Sequence, residues 1–67
     1  MKIRGLKMKQ FDVVRISNNA QIKGISGGQV GTILEVYSEN YFEVEVCDNN
    51  GITLFQGALN GDILEVV

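Results

Sequence analysis

Tyr41-Phe42-Glu43-Val44-Glu45-Val46-Cys47 alternates large apolar and mostly acidic residues without a break. On a pleated backbone successive side chains point to opposite faces, so Phe42, Val44 and Val46 share one face while Tyr41, Glu43, Glu45 and Cys47 share the other. Phe42, Val44 and Val46 are the inward set, and this segment, strand three, is the clearest strand in the chain. No window of ten or more residues elsewhere shows helical apolar periodicity, whereas period-two alternation recurs in short segments bounded by Gly and Asn, so the class is all-β.

Working outward, Asp48-Asn49-Asn50-Gly51 joins Asx chemistry to a glycine free to take positive φ, the signature of a tight hairpin into a fourth strand near Ile52 to Gly57. Asn60-Gly61-Asp62 reads as a one-turn connection. Ile63 to Val66 closes the chain as a last strand with Leu64 and Val66 inward. Upstream, Ser38 to Asn40 is a short turn and Gln29 to Tyr37 is strand two, in which strict alternation would send Ile33 away from Val30 and Val36. A bulge or bend is expected there, bringing Val30, Ile33 and Val36 all to the core. Ser17 to Gly28 is a long polar loop with three glycines, anchored by Ala20, Ile22 and Ile25. Phe11 to Ser17 is strand one, with Val14 and Ile16 inward.

Five short strands, a long first loop, two hairpins and a one-turn link fit a small, strongly bent barrel of the SH3-like kind spanning residues 11–67. Residues 1–10 form a basic N-terminal arm or an extra edge strand. A chain of 67 residues lies near the lower limit for a core without disulfides, burying only about 60% of its unfolded surface. Its 45% apolar and 21% charged composition is nonetheless that of a folding domain rather than a disordered one.

Charge is segregated along the chain. Lys2, Arg4, Lys7, Lys9, Arg15 and Lys23 are all the cations and face only Asp12 within residues 1–23, a net +5; from Gly24 onward seven carboxylates stand without a cation, a net −7. Such asymmetry bears on association rather than on fold. The chain has no apolar run approaching the roughly 18 residues of a membrane span, and no apolar stretch behind the N-terminal lysines marks a secretory signal. A single cysteine, Cys47, agrees with a reducing compartment, so a cytoplasmic protein is expected.

The chain contains no histidine. Cys47 therefore has no imidazole to draw off its proton, and Ser17, Ser26, Ser38, Thr32 and Thr53 lack the base of a hydrolytic triad. Gly27-Gly28 is followed by neither Lys-Ser nor Lys-Thr and opens no helix, so it is no phosphate-binding loop. Glu43 and Glu45 face one side of strand three, with Glu35 or Glu39 able to join them across the hairpin. Without a pocket to separate their pKa values, alternating glutamates read as solvated surface that discourages edge aggregation or as a face for a basic partner. Tyr37 and Tyr41, at the two ends of one hairpin, are placed to line a peptide groove; the absence of tryptophan argues against a proline-rich ligand.

The order Asp12-Val13-Val14-Arg15-Ile16, then Gly24-Ile25-Ser26-Gly27-Gly28-Gln29-Val30-Gly31-Thr32-Ile33-Leu34-Glu35-Val36-Tyr37, then Tyr41-Phe42-Glu43-Val44-Glu45-Val46 resembles a family of small bacterial proteins, frequent in cyanobacteria, described only as a domain of unknown function. The match runs over residues 11–67 and departs from the family pattern in the proline-free loop Asn18 to Lys23 and in Val66, where a proline is usual. The resemblance implies an SH3-like fold, a cytoplasmic protein and a place in a two-protein cassette of the toxin and antitoxin type. A more distant likeness to the KOW motif of ribosomal proteins and elongation factors rests on Val14-Arg15-Ile16, Lys23-Gly24 and Gly31-Thr32-Ile33.

These readings converge on a non-enzymatic protein-interaction module with no cofactor or metal, binding one protein partner through Lys23, Gly24, Ile25, Tyr37, Tyr41, Glu43 and Glu45. The alternative is a KOW-like nucleic-acid-binding module led by the basic arm. Nucleic acid demands a basic face with stacking groups, and the acidic body after Lys23 opposes it.

Overall fold

The computed structural model describes residues 8–67. Five strands form one antiparallel sheet in the order β4-β3-β2-β1-β5: β1 Val13–Ile16, β2 Val30–Ser38, β3 Tyr41–Cys47, β4 Thr53–Asn60 and β5 Leu64–Val66, with a 3-10 turn at Gly61–Ile63 before the last strand. β4 and β5 are the two edges, and among the described residues no strand ladder joins them. The all-β class and the five strands are as the alternation requires. Residues 1–7 of the expected arm lie outside the described residues.

The core is the inward set of those strands: Val14 and Ile16 of β1, Ile33 of β2, Phe42, Val44 and Val46 of β3, Leu59 of β4 and Leu64 of β5 are all buried. Each such side chain contributes about 1.5–3 kcal/mol by leaving water. Ala20, Ile22 and Ile25 of the first loop and Phe55 of β4 pack against this cluster. The loop is closed at its base by Gly28 N–H to Ile16 O and Ile16 N–H to Gln29 O, both 2.7 Å, and is tied to the 3-10 turn by Ser17 N–H to Ile63 O at 2.8 Å.

β2 carries the expected irregularity but not its expected result. The β2/β3 register shifts between Ile33 and Glu35 and again between Val36 and Ser38. Val30, however, pairs with Arg15 on the outward side and is 44% exposed, while Val36 pairs with Phe42 in the inward register and is still 42% exposed. Val30 is exposed because it faces outward; for Val36 the reason is the length of β1, whose four residues accompany β2 only to Thr32. The inward partner of Ile33 is instead Gly31, which is buried without a side chain: a Cβ there would lie 2.7 Å from Glu45 O and 3.0 Å from the methyls of Val44 and Val46.

Two further boundaries differ from the sequence reading. β4 runs to Asn60 rather than ending at Gly57, because Ala58 and Leu59 continue the ladder opposite Glu43 and Phe42. Val66 holds the inward register opposite Val14 yet is exposed, since β5 is an edge three residues long; Leu64 alone is buried. The β3 to β4 connection is as expected: Asp48 Oδ1 accepts from Asn50 N–H at 2.8 Å and Ile52 N–H at 2.9 Å, and Gly51 takes φ 81°.

Candidate functional site

The outward faces of β2, β3 and β4 place Glu35 directly opposite Glu43, Thr32 opposite Glu45, Glu43 opposite Ala58 and Glu45 opposite Gln56. Like charges facing each other across a ladder destabilise it. The side chains are held by neutral donors: Tyr37 Oη donates to Glu43 Oε1 at 2.9 Å, Gln56 Nε2 to Glu43 Oε2 at 3.2 Å, and Thr53 Oγ1 to Glu45 Oε2 at 2.7 Å. Both oxygens of Glu43 are thus engaged, and its carboxylate is fixed rather than free to swing. The Glu43 acceptor in turn pushes the Tyr37 phenol above its ordinary value of 10.0, because the bond is lost on ionisation; slight desolvation and the charges of Glu43 and Glu35 add to the shift.

Tyr41 sits beside Tyr37 with ring centroids 6.0 Å apart and planes at 45°, a tilted pair within the favourable range for aromatics. The rings are 54% and 46% exposed, so the pair offers apolar surface to solvent at the rim of the carboxylates. The turn beneath them is braced by Asn40 Nδ2, which donates to Asn60 Oδ1 at 2.9 Å and to Asp62 Oδ1 at 3.1 Å, while Gly61 N–H donates to Asn40 O at 2.9 Å. None of β2, β3 and β4 contributes a Lys or Arg, so the face is acidic throughout.

The sequence-derived site residues therefore fall into two groups. Tyr37, Tyr41, Glu43 and Glu45 come together on this face, joined by Glu35 and by the neutral donors Thr53 and Gln56. Lys23, Gly24 and Ile25 do not join them. Gly24 lies against Leu54 and Phe55, and Phe55 pairs with Val46, five residues along β3 from Tyr41 and so roughly 17 Å away. Ile25 packs against the core, leaving Lys23 and Gly24 as the exposed members of that group. Cys47 is an exposed free thiol beside a shallow depression lined by Gln29, Val30, Asp48, Asn49 and Leu54. Gln56 and Thr53 were not singled out from sequence; the period-two register of β4 finds Gln56 opposite Glu45, whereas Thr53 reaches the same face only through the irregularity between Val46 and Cys47.

Among the described residues no group of three or more His, Cys, Asp or Glu side chains converges to hold a metal ion, and no helix is long and apolar enough to cross a membrane. The molecule is thus a small all-β domain with one antiparallel sheet and an acidic, tyrosine-rimmed outer face. The chain belongs to the family described as domain of unknown function (DUF4926), whose model matches residues 10–66. No curated protein and no solved structure matches it.

Proposed function

We propose that this chain is a non-enzymatic, cytoplasmic protein-interaction module of the SH3-like barrel kind, the small member of a two-protein cassette in the antitoxin role. The observation that carries the binding reading is the fixed acidic face. Glu35 and Glu43 stand directly opposed on facing strands, Glu43 is held in place by Tyr37 and Gln56 and Glu45 by Thr53, and an exposed tyrosine pair lies beside them. Folding alone gains nothing from opposing Glu35 to Glu43. A basic partner does, because each cation it brings meets an oriented carboxylate, and Tyr37 and Tyr41 supply rigid amphipathic contact area at low entropic cost. Lys23 and Gly24 form a second, separate contact at the far end of the sheet.

The strand order, the long first loop and the 3-10 turn before the last strand support the SH3-like reading. The two-protein cassette rests on the family resemblance.

A tagged pull-down from native lysate, split into nuclease-treated and untreated halves, tests the function. One stoichiometric protein that survives nuclease and moderate salt is the expected result. Recovery of ribosomal or nucleoid proteins that vanishes with nuclease would replace this reading with the KOW-like one, in which the basic arm leads.

A further inference from the structure

Two Asn-Gly pairs stand in this chain, Asn50-Gly51 and Asn60-Gly61. Such a pair carries a chemistry of its own, because a glycine nitrogen with no Cβ beside it can attack the side-chain carbonyl carbon of the preceding asparagine. The glycine N–H gives up its proton, a bond forms from its nitrogen to Cγ, the Cγ–Nδ2 bond breaks, and the side-chain nitrogen departs with that proton as ammonia. A cyclic succinimide remains. Water then opens the ring, leaving aspartate when it attacks Cγ and isoaspartate when it attacks the backbone carbonyl carbon. In sum one water enters, one ammonia leaves, and nothing is oxidised or reduced. The asparagine side chain must swing over its own backbone and the glycine nitrogen must come free of its acceptor, so the cost of local opening decides which pair reacts.

The fold treats the two pairs differently. Asn50 and Gly51 lie exposed at the tip of the β3 to β4 hairpin. The turn is held by Asp48 Oδ1, which accepts from the N–H groups of Asn50 and Ile52, and nothing fixes the Asn50 side-chain amide among the described residues. Gly51 N–H is held by one bond, to Asp48 O at 3.0 Å, and beyond its chain neighbours nothing lies within 4 Å of the place its Cβ would occupy, so a ring has room to form. Asn60, by contrast, has its amide tied down: Oδ1 accepts from Asn40 Nδ2 at 2.9 Å and from Asp62 N–H at 2.8 Å. Gly61 is buried, its N–H donates to Asn40 O at 2.9 Å, and a Cβ on it would collide with Asn40 Oδ1 and lie 2.9 Å from Phe42 Cε2. Reaction at Asn60 must therefore open three hydrogen bonds and lift the 3-10 turn from Phe42, where reaction at Asn50 opens one.

We propose that Asn50 is a site of spontaneous deamidation and isomerisation at the hairpin tip, and that the bracing by Asn40 shields Asn60 from the same reaction. The product gains a carboxylate close to Asp48, and its isoaspartate form has one more backbone carbon between residues 50 and 51, which shifts Gly51 N–H off Asp48 O. The change falls at the opposite end of β3 from Tyr41. The test holds the full-length chain in warm, mildly alkaline buffer, native and in concentrated urea, and follows each asparagine over time by peptide mapping and mass spectrometry, with isoaspartate told from aspartate by its fragment ions. In the native chain, loss of the amide at Asn50 should outrun loss at Asn60 by about tenfold or more, the factor expected where two further hydrogen bonds must open first. In urea the two rates should converge, because glycine follows both asparagines. Equal rates in the native chain overturn the proposal, as does an Asn50 that keeps its amide over the time in which the unfolded chain converts. So does a native difference that persists undiminished in urea, since the sequence neighbours and not the fold would then set it.

Discussion

The two faces of β3 are made by the same seven residues and obey different rules. Inward, Phe42, Val44 and Val46 are sealed under β1, β5 and the first loop, and their identity is dictated by volume. Outward, Glu43 meets Glu35 of β2 in a like-charge pairing that a merely stable sheet would avoid, and neutral donors hold Glu43 and Glu45 in place. The contrast teaches that burial accounts for one face completely and for the other hardly at all. The outer face is where function is to be sought.

The largest effect should come from the inner face. Phe42→Ala removes a fully buried ring from a chain with little stability to spare, and a loss of about 3–5 kcal/mol is expected, enough to leave the variant largely unfolded in a urea titration followed by far-UV circular dichroism. Next is Gly31→Ala, whose methyl would press on Glu45 O and the Val44 and Val46 methyls; overpacking there should cost about 1–3 kcal/mol, read as a lower urea midpoint at unchanged slope.

The outer face should answer in the opposite sense. Glu35→Gln removes one half of the Glu35 and Glu43 opposition and should raise stability by about 0.2–1 kcal/mol, with the gain shrinking as salt is added. A lowered midpoint would mean that the carboxylates stabilise the sheet, and the two faces would no longer differ in kind. The smallest effect is electrostatic and local. Because the Tyr37 phenol is raised above 10.0 in the fold, its bond to Glu43 contributes fully below that value and is lost as pH climbs through the higher, folded one. Tyrosinate absorbance should show one late-titrating phenol in the native protein, moved back down by Glu43→Gln.

The inner face was legible because strict alternation over residues 41–47 and the pair Val14 and Ile16 leave one register that buries the apolar set. The Asp48 to Gly51 turn was legible because its side-chain acceptor and its glycine each have one geometric use. Val30 and Val36 differ from their expected burial for separate reasons: Val30 takes the outward register opposite Arg15, and the burial of Val36 depends on where β1 ends, a fact about a neighbouring strand that nothing within β2 encodes. The tyrosines and glutamates of the outer face followed from the register of β3, but the separation of Lys23 to Ile25 from them did not. A loop of a dozen residues can return to either end of a sheet, and the packing of Ile25 on the core, with Gly24 near Leu54 and Phe55 of β4, decides which.

The most direct test of whether the outer face exists for association is to carry the parent chain and the Glu35→Gln, Glu43→Gln, Glu45→Gln variant side by side through urea unfolding and through capture from nuclease-treated lysate. The account predicts a midpoint for the variant equal to or above the parent's, with the stoichiometric partner held by the parent and lost by the variant. Equal capture by both chains would contradict it, as would a variant that no longer folds.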